Sequence, residues 1–255
     1  MRVTRAVVPS LFTVLNMFCG FLSVIHASRL EVESAVWFIA LAAAFDALDG
    51  MMARLTRTTS DFGVEMDSLS DVVSFGVAPS YLAFKVHLES LDGIGVFLSA
   101  LPMVFGGLRL ARFNVQLVGH DKDYFVGLPI PVSAFAIASF ILAHYDQVTG
   151  LHPAAAAALP WIVVVLALLM VSRIRYDTLP GPSRRAFKKE PWKFVFLVLA
   201  AVAAVVTGGK AVFPLFVLFI LLGLLRAGVA AVRQIVKPAA GDSDEEAPEP
   251  RSADV

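Results

Sequence analysis

The chain is short of what most soluble domains depend on. Only 16% of its 255 residues are charged, against 58% hydrophobic, and mean hydropathy is +0.75. An ordinary soluble domain, about a quarter charged, is excluded. The single cysteine, Cys19, lies inside an apolar run and is expected to be packed or lipid-facing, so a disulfide framework and a cysteine-based zinc site are excluded as well. Basic residues (21) balance acidic ones (21), which leaves no net charge to draw a nucleic acid. The five histidines, His26, His87, His120, His144 and His152, are scattered and suggest no ligand set.

What the chain has instead is long apolar runs. They are read as about eight membrane spans, over roughly 8–28, 34–55, 63–87 and 93–115, a fifth with the prolines of 127–131 in its first turn and reaching about 145, then 154–171, 191–207 and 211–232. The fold class is therefore all-α, a polytopic transmembrane helix bundle with a six-helix core and a C-terminal pair. Residues 1–236 form the membrane domain, and the acidic, Pro/Ala-rich residues 237–255 read as a disordered tail. The first run follows Arg2 and Arg5 as a secretory signal would, but it is too long for one and reads as a retained helix.

Basic residues are distributed unequally between the two sides. With the N-terminus in the cytoplasm, Arg54, Arg57, Arg109, Arg112, Lys122 and the cluster Arg184, Arg185, Lys188 and Lys189 all fall on that side. Only Arg29, Lys85 and Lys210 fall outside, a marked positive-inside asymmetry. The cluster between the sixth and seventh spans reads as an orientation signal in contact with anionic lipid headgroups.

Against this apolar background stands 46–71, DALDGMMARLTRTTSDFGVEMDSLSD. Asp46, Asp49, Gly50, Ala53 and Arg54 share one broad face of a helix turning about 100° per residue, and Gly63, Asp67 and Asp71 make a second stripe. A carboxylate at mid-membrane costs roughly 2.5–3.5 kcal/mol on insertion scales. Four of them need an interface, a polar cavity or shared cations. Two acidic ridges joined by a short polar turn suit a divalent-metal site at the cytoplasmic end. Magnesium takes carboxylate oxygens together with substrate phosphates, and two such ions clamp an in-line displacement. Arg54 could neutralise a diphosphate, and the small Gly50 and Ala53 leave room for a base or ribose. A carboxylate partly free of metal could accept the proton of an attacking alcohol.

Asp46-x-x-Asp49-Gly50-x-x-Ala53-Arg54, eight residues, Gly63-x-x-x-Asp67-x-x-x-Asp71 resembles the signature of the CDP-alcohol phosphotransferase family at every specified position. Pro9 to Gly20, Asp67 to Pro79, Leu108 to Asn114 and Gly127-Leu128-Pro129 are similar to the membrane-integral bacterial phosphatidylserine synthases of that family. The resemblance thins after the fifth span. It implies transfer of a phosphatidyl group from CDP-diacylglycerol to L-serine, giving phosphatidylserine and CMP. It implies that Asp46, Asp49, Asp67 and Asp71 hold Mg2+ or Mn2+, with Asp71 also the general base on the serine hydroxyl. Gly50, Ala53, Arg54 and Gly63 would contact the CDP moiety. It further implies membrane-lipid partners, a homodimer, and a place in a bacterial inner membrane with the active site facing the cytoplasm.

Some alternatives stay open. Thr13 and Asn16 either bond between helices or contact the CDP phosphates. Arg109 and Arg112 either anchor a helix end or grip the serine carboxylate, which arginine suits. The same fold could use glycerol 3-phosphate or an inositol phosphate as acceptor. A transporter would be expected to show repeats or interrupted helices in matching halves, and the sequence shows neither.

Overall fold

The computed structural model describes residues 7–56, 60–116, 124–172, 174–177, 206–209 and 212–236. Helices α1 (Val7–Ser28) and α2 (Val32–Thr56) form a hairpin. Its turn is closed by backbone bonds from Arg29 to His26 (3.1 Å) and from Leu30 to Ala27 (3.0 Å), with Leu30 at φ 57°. The next run is α3 (Asp61–Asp71), a π-helical segment (Val72–Val77) and α4 (Ala78–Val86). The wide turn has a local cause in Pro79, which has no N–H to give the carbonyl four residues back and whose ring crowds it. Just before it, Ala78 donates five residues back, to the Val73 carbonyl.

A short 3-10 turn (Leu88–Leu91) leads into α5 (Asp92–Gln116). Helices α6 (Ile130–His144), α7 (Pro153–Val171) and α8 (Val212–Val236) follow. Prolines stand in the first turns of α6 and α7, where the missing N–H costs nothing. Four stretches are long and apolar enough to cross a membrane: Leu11–Ser28, Val32–Ala53, Leu88–Val115 and Pro153–Val171. The apolar helices Ile130–His144 and Val212–Arg226 are shorter. Of the seventh expected span only residues 206 and 207 are described, and the tail lies outside the described residues.

Burial follows from this arrangement. Helix α6 is enclosed nearly all round, with Ile130, Ile137, Ala138 and Ile141 almost inaccessible. Around it, α1 turns Phe18 and Phe21 outward, α2 Trp37 and Leu41, α5 Phe97 and Val104, and α7 Trp161 and Val165. Such faces would be a liability in water and match a lipid environment. Cys19 is packed inside, 4% exposed.

The all-helical expectation needs one amendment. Two small antiparallel ribbons are present, β1 (Tyr124–Val126) with β4 (Arg175–Asp177) and β2 (Tyr145–Asp146) with β3 (Gly150–Leu151). The first lies beside a clasp between α6 and α7, in which Gly127 N–H donates to the Ile174 carbonyl (2.8 Å) and Leu128 N–H to that of Leu169 (3.0 Å).

Candidate active site

Helices α2 and α3 bring their acidic residues together at one end of the bundle. One carboxylate oxygen from each of Asp46, Asp67 and Asp71 lies within 4.8 Å of the others. At that separation ionised carboxylates repel by roughly 3–4 kcal/mol per pair at an effective dielectric of about 20. A divalent cation removes the repulsion, and carboxylates of this kind are the oxygen donors that magnesium and manganese take. The residues therefore fit a metal ion.

Asp49 stands beside this trio, turned toward α1, where the Thr13 hydroxyl donates to its Oδ2. Asn16, one turn further along α1, donates from Nδ2 to Asp71 Oδ1 at 3.5 Å. Thr13, Asn16, Asp49 and Asp71 are all buried. Among the described residues Asp49 Oδ1 and Asn16 Oδ1 have no hydrogen-bond donor. Two buried acceptors lacking a donor beside three carboxylates are a second sign of a place for positive charge. Thr13 and Asn16 thus do bond between helices, and their bonds end on the acidic residues.

Helix α3 begins at an N-cap, Ser60, whose hydroxyl accepts from Gly63 N–H at 3.0 Å. On α2, Gly50 is exposed and Ala53 half-buried; Arg54 lies in the last turn, its side chain outside the described residues. Glu65 is exposed, as a solvent-facing neighbour of the stripe would be.

Helix α5 closes the other side. Arg109 is buried and close enough to Asp71 for their charges to interact. Arg112 Nη1 points to the Val171 carbonyl, 3.4 Å away at the end of α7. Asn114 donates to Ser68 Oγ at 2.9 Å, joining α5 to α3 next to Asp67. Reading the sequence passed over Ser70 and Ser74, which bond to α1 through the carbonyls of Thr13 (3.0 Å) and Asn16 (2.8 Å). Their signal was a pair of small hydroxyl residues four apart inside an apolar span.

The model of the CDP-alcohol phosphatidyltransferase family matches residues 6–172, which takes in the acidic motif and the helices around it. The chain belongs to this family. Among its relatives, the CDP-diacylglycerol–serine O-phosphatidyltransferase of Helicobacter pylori (strain ATCC 700392 / 26695) is 37% identical over 221 residues, 86% of this chain and 90% of its own. The archaetidylserine synthase of Methanothermobacter thermautotrophicus is 40% identical over 175 residues, 68% of this chain and 70% of its own. The CDP-diacylglycerol–serine O-phosphatidyltransferase of Bacillus subtilis (strain 168) is 38% identical over 130 residues, 51% of this chain and 72% of its own. With its apolar helices, this member of the family is an integral membrane protein.

Proposed function

We propose that this protein moves a phosphatidyl group from CDP-diacylglycerol to L-serine, releasing CMP. The observation that carries the reading is the convergence of Asp46, Asp67 and Asp71 from two helices whose acidic spacing resembles the family's signature. A bond forms between the serine hydroxyl oxygen and the phosphatidyl phosphorus as the phosphoanhydride bond to CMP breaks. Asp71, whose carboxylate accepts a long contact from the Asn16 amide, takes the hydroxyl proton. Asp46, Asp49, Asp67 and Asp71 would hold Mg2+ or Mn2+. When bound, the metal neutralises phosphate charge and helps the CMP oxygen leave.

Gly50, Ala53, Arg54 and Gly63 contact the CDP moiety, and Thr13 and Asn16 line the same end of the site. Of the two arginines, Arg109 is assigned to the serine carboxylate, because it is buried next to Asp71 whereas Arg112 turns to the end of α7. The active end faces the cytoplasm of a bacterial inner membrane, in keeping with the basic residues around it. The chain crosses that membrane about eight times. The membrane domain covers 1–236 with 237–255 as a tail, and two copies pair as a homodimer.

The test is an acceptor panel. Purified protein with CDP-diacylglycerol and Mg2+ or Mn2+ is offered serine, glycerol 3-phosphate and inositol phosphate, and CMP release is followed. Serine alone should give rapid turnover that chelation abolishes. Preference for a phosphate-bearing acceptor, or CMP release indifferent to chelator, overturns the reading.

A further inference from the structure

We propose that Ser70 and Ser74 are positioning residues, whose hydroxyls set the axial register of α1 so that Thr13 and Asn16 hold the acidic residues in place. The inference rests on the active-site reading above and deepens it.

A serine within a helix commonly returns its hydroxyl to the carbonyl one turn back in its own helix. Ser68 does this with Val64 (3.1 Å), as Ser139 does with Phe135. Ser70 and Ser74 do not. Fully buried, they reach across to α1 and donate to the carbonyls of Thr13 and Asn16, at 3.0 and 2.8 Å. The same two α1 residues send their side chains to Asp49 and Asp71. Each is therefore held twice, by its backbone on a serine and by its side chain on an aspartate.

The approach of the two helices is specific to this geometry. A Cβ built on Gly20 would lie 2.4 Å from Ser74 Oγ and 2.7 Å from Ser74 Cα, so no larger residue fits there without separating them. Ser74 also lies in the π-helical segment, directly after Asp71. A slip of α1 by one residue moves it about 1.5 Å and turns it about 100°, enough to break both aspartate contacts. Register here is a matter of chemistry as well as packing.

The experiment compares Ser70→Ala, the Ser70→Ala/Ser74→Ala double variant, Ser70→Thr and a control, Ser139→Ala, whose hydroxyl bonds within α6. Mn2+ affinity is read directly by electron paramagnetic resonance in detergent, beside CMP release and thermal unfolding. The double variant should bind Mn2+ about 5-fold or more weakly and lose about 10-fold in kcat, with the serine KM within about twofold. Ser70→Thr, which keeps the hydroxyl, should restore most of the loss of Ser70→Ala, and Ser139→Ala should resemble wild type. Unchanged Mn2+ affinity in the double variant overturns the proposal, even with a lowered unfolding temperature, because the serines would then only pack. Should the double variant not fold, the Ser70→Ala and Ser70→Thr pair decides by the same readout. Wild-type protein that binds Mn2+ but releases no CMP from any acceptor would sink the enzyme reading and leave the register claim to the Mn2+ data.

Discussion

Asp71 meets more of its surroundings than any other acidic residue at the site. It is buried, shares the carboxylate cluster with Asp46 and Asp67, accepts from Asn16, and lies near Arg109. In Asp71→Asn the shape is kept but the amide cannot accept the serine proton. CMP release should fall by about 100-fold or more, the usual worth of a placed general base. Full turnover in that variant would remove Asp71 from the role. The arginines separate by partner. Arg109→Ala should raise the serine KM about 10- to 100-fold, as expected for losing a charge-assisted bond of roughly 1.5–3 kcal/mol. The KM for CDP-diacylglycerol should hardly move, and Arg112→Ala should do far less to either. Steady-state kinetics with each substrate varied in turn checks both.

Between residue and molecule, α6 and α7 depend on a backbone feature that side-chain patterns do not reveal. Gly127 sits at φ +85°, and a Cβ there would lie 2.1 Å from the Met170 carbonyl oxygen. The left-handed conformation alone costs a non-glycine residue about 1–2 kcal/mol, and the clash adds to it. Gly127→Ala should therefore lower the thermal unfolding midpoint in detergent while largely sparing Mn2+ affinity, since the carboxylates belong to α2 and α3. Equal loss of both would mean that the clasp shapes the metal site too. Gly127-Leu128-Pro129 was visible in the sequence as a motif, but its partners, Leu169 and Ile174, are distant in the chain. The same division runs through the fold. Spans read at 8–28, 34–55 and 93–115 became Val7–Ser28, Val32–Thr56 and Asp92–Gln116, because apolar length alone marks such helices. The acidic stripes were legible because helical spacing is local. The bonds of Thr13 to Asp49 and Asn16 to Asp71 span 36 and 55 residues, and no periodicity carries information over that range. The π-helical turn was hidden for another reason: Pro79 announces a disturbance but not whether the helix kinks, ends or widens.

For the whole molecule the decisive matter is which way it lies in the membrane, because the proposed reaction needs the acidic end on the side from which its nucleotide-linked donor arrives. On the proposed topology, with a cytoplasmic N-terminus and α3–α4 and α6 also crossing, the α1–α2 turn and the β2–β3 turn lie outside, and the ends of α2 and α5 inside. The basic residues favour this arrangement over its inverse, since loops rich in lysine and arginine stay on the cytoplasmic side. Cys19 makes the prediction simple to test, because the chain's only thiol is packed at 4% exposure and gives little background. A cysteine replacing Val148, 91% exposed in the β2–β3 turn, should react with a membrane-impermeant maleimide on intact cells. One replacing Val115, 78% exposed at the end of α5 beside Asn114, should react only after the membrane is opened. The reverse pattern would put the carboxylates on the wrong side for a cytosolic donor, and the proposed reaction could not survive it. Labelling of both sites in intact cells would point instead to a mixed orientation, with only the inward-facing copies able to work.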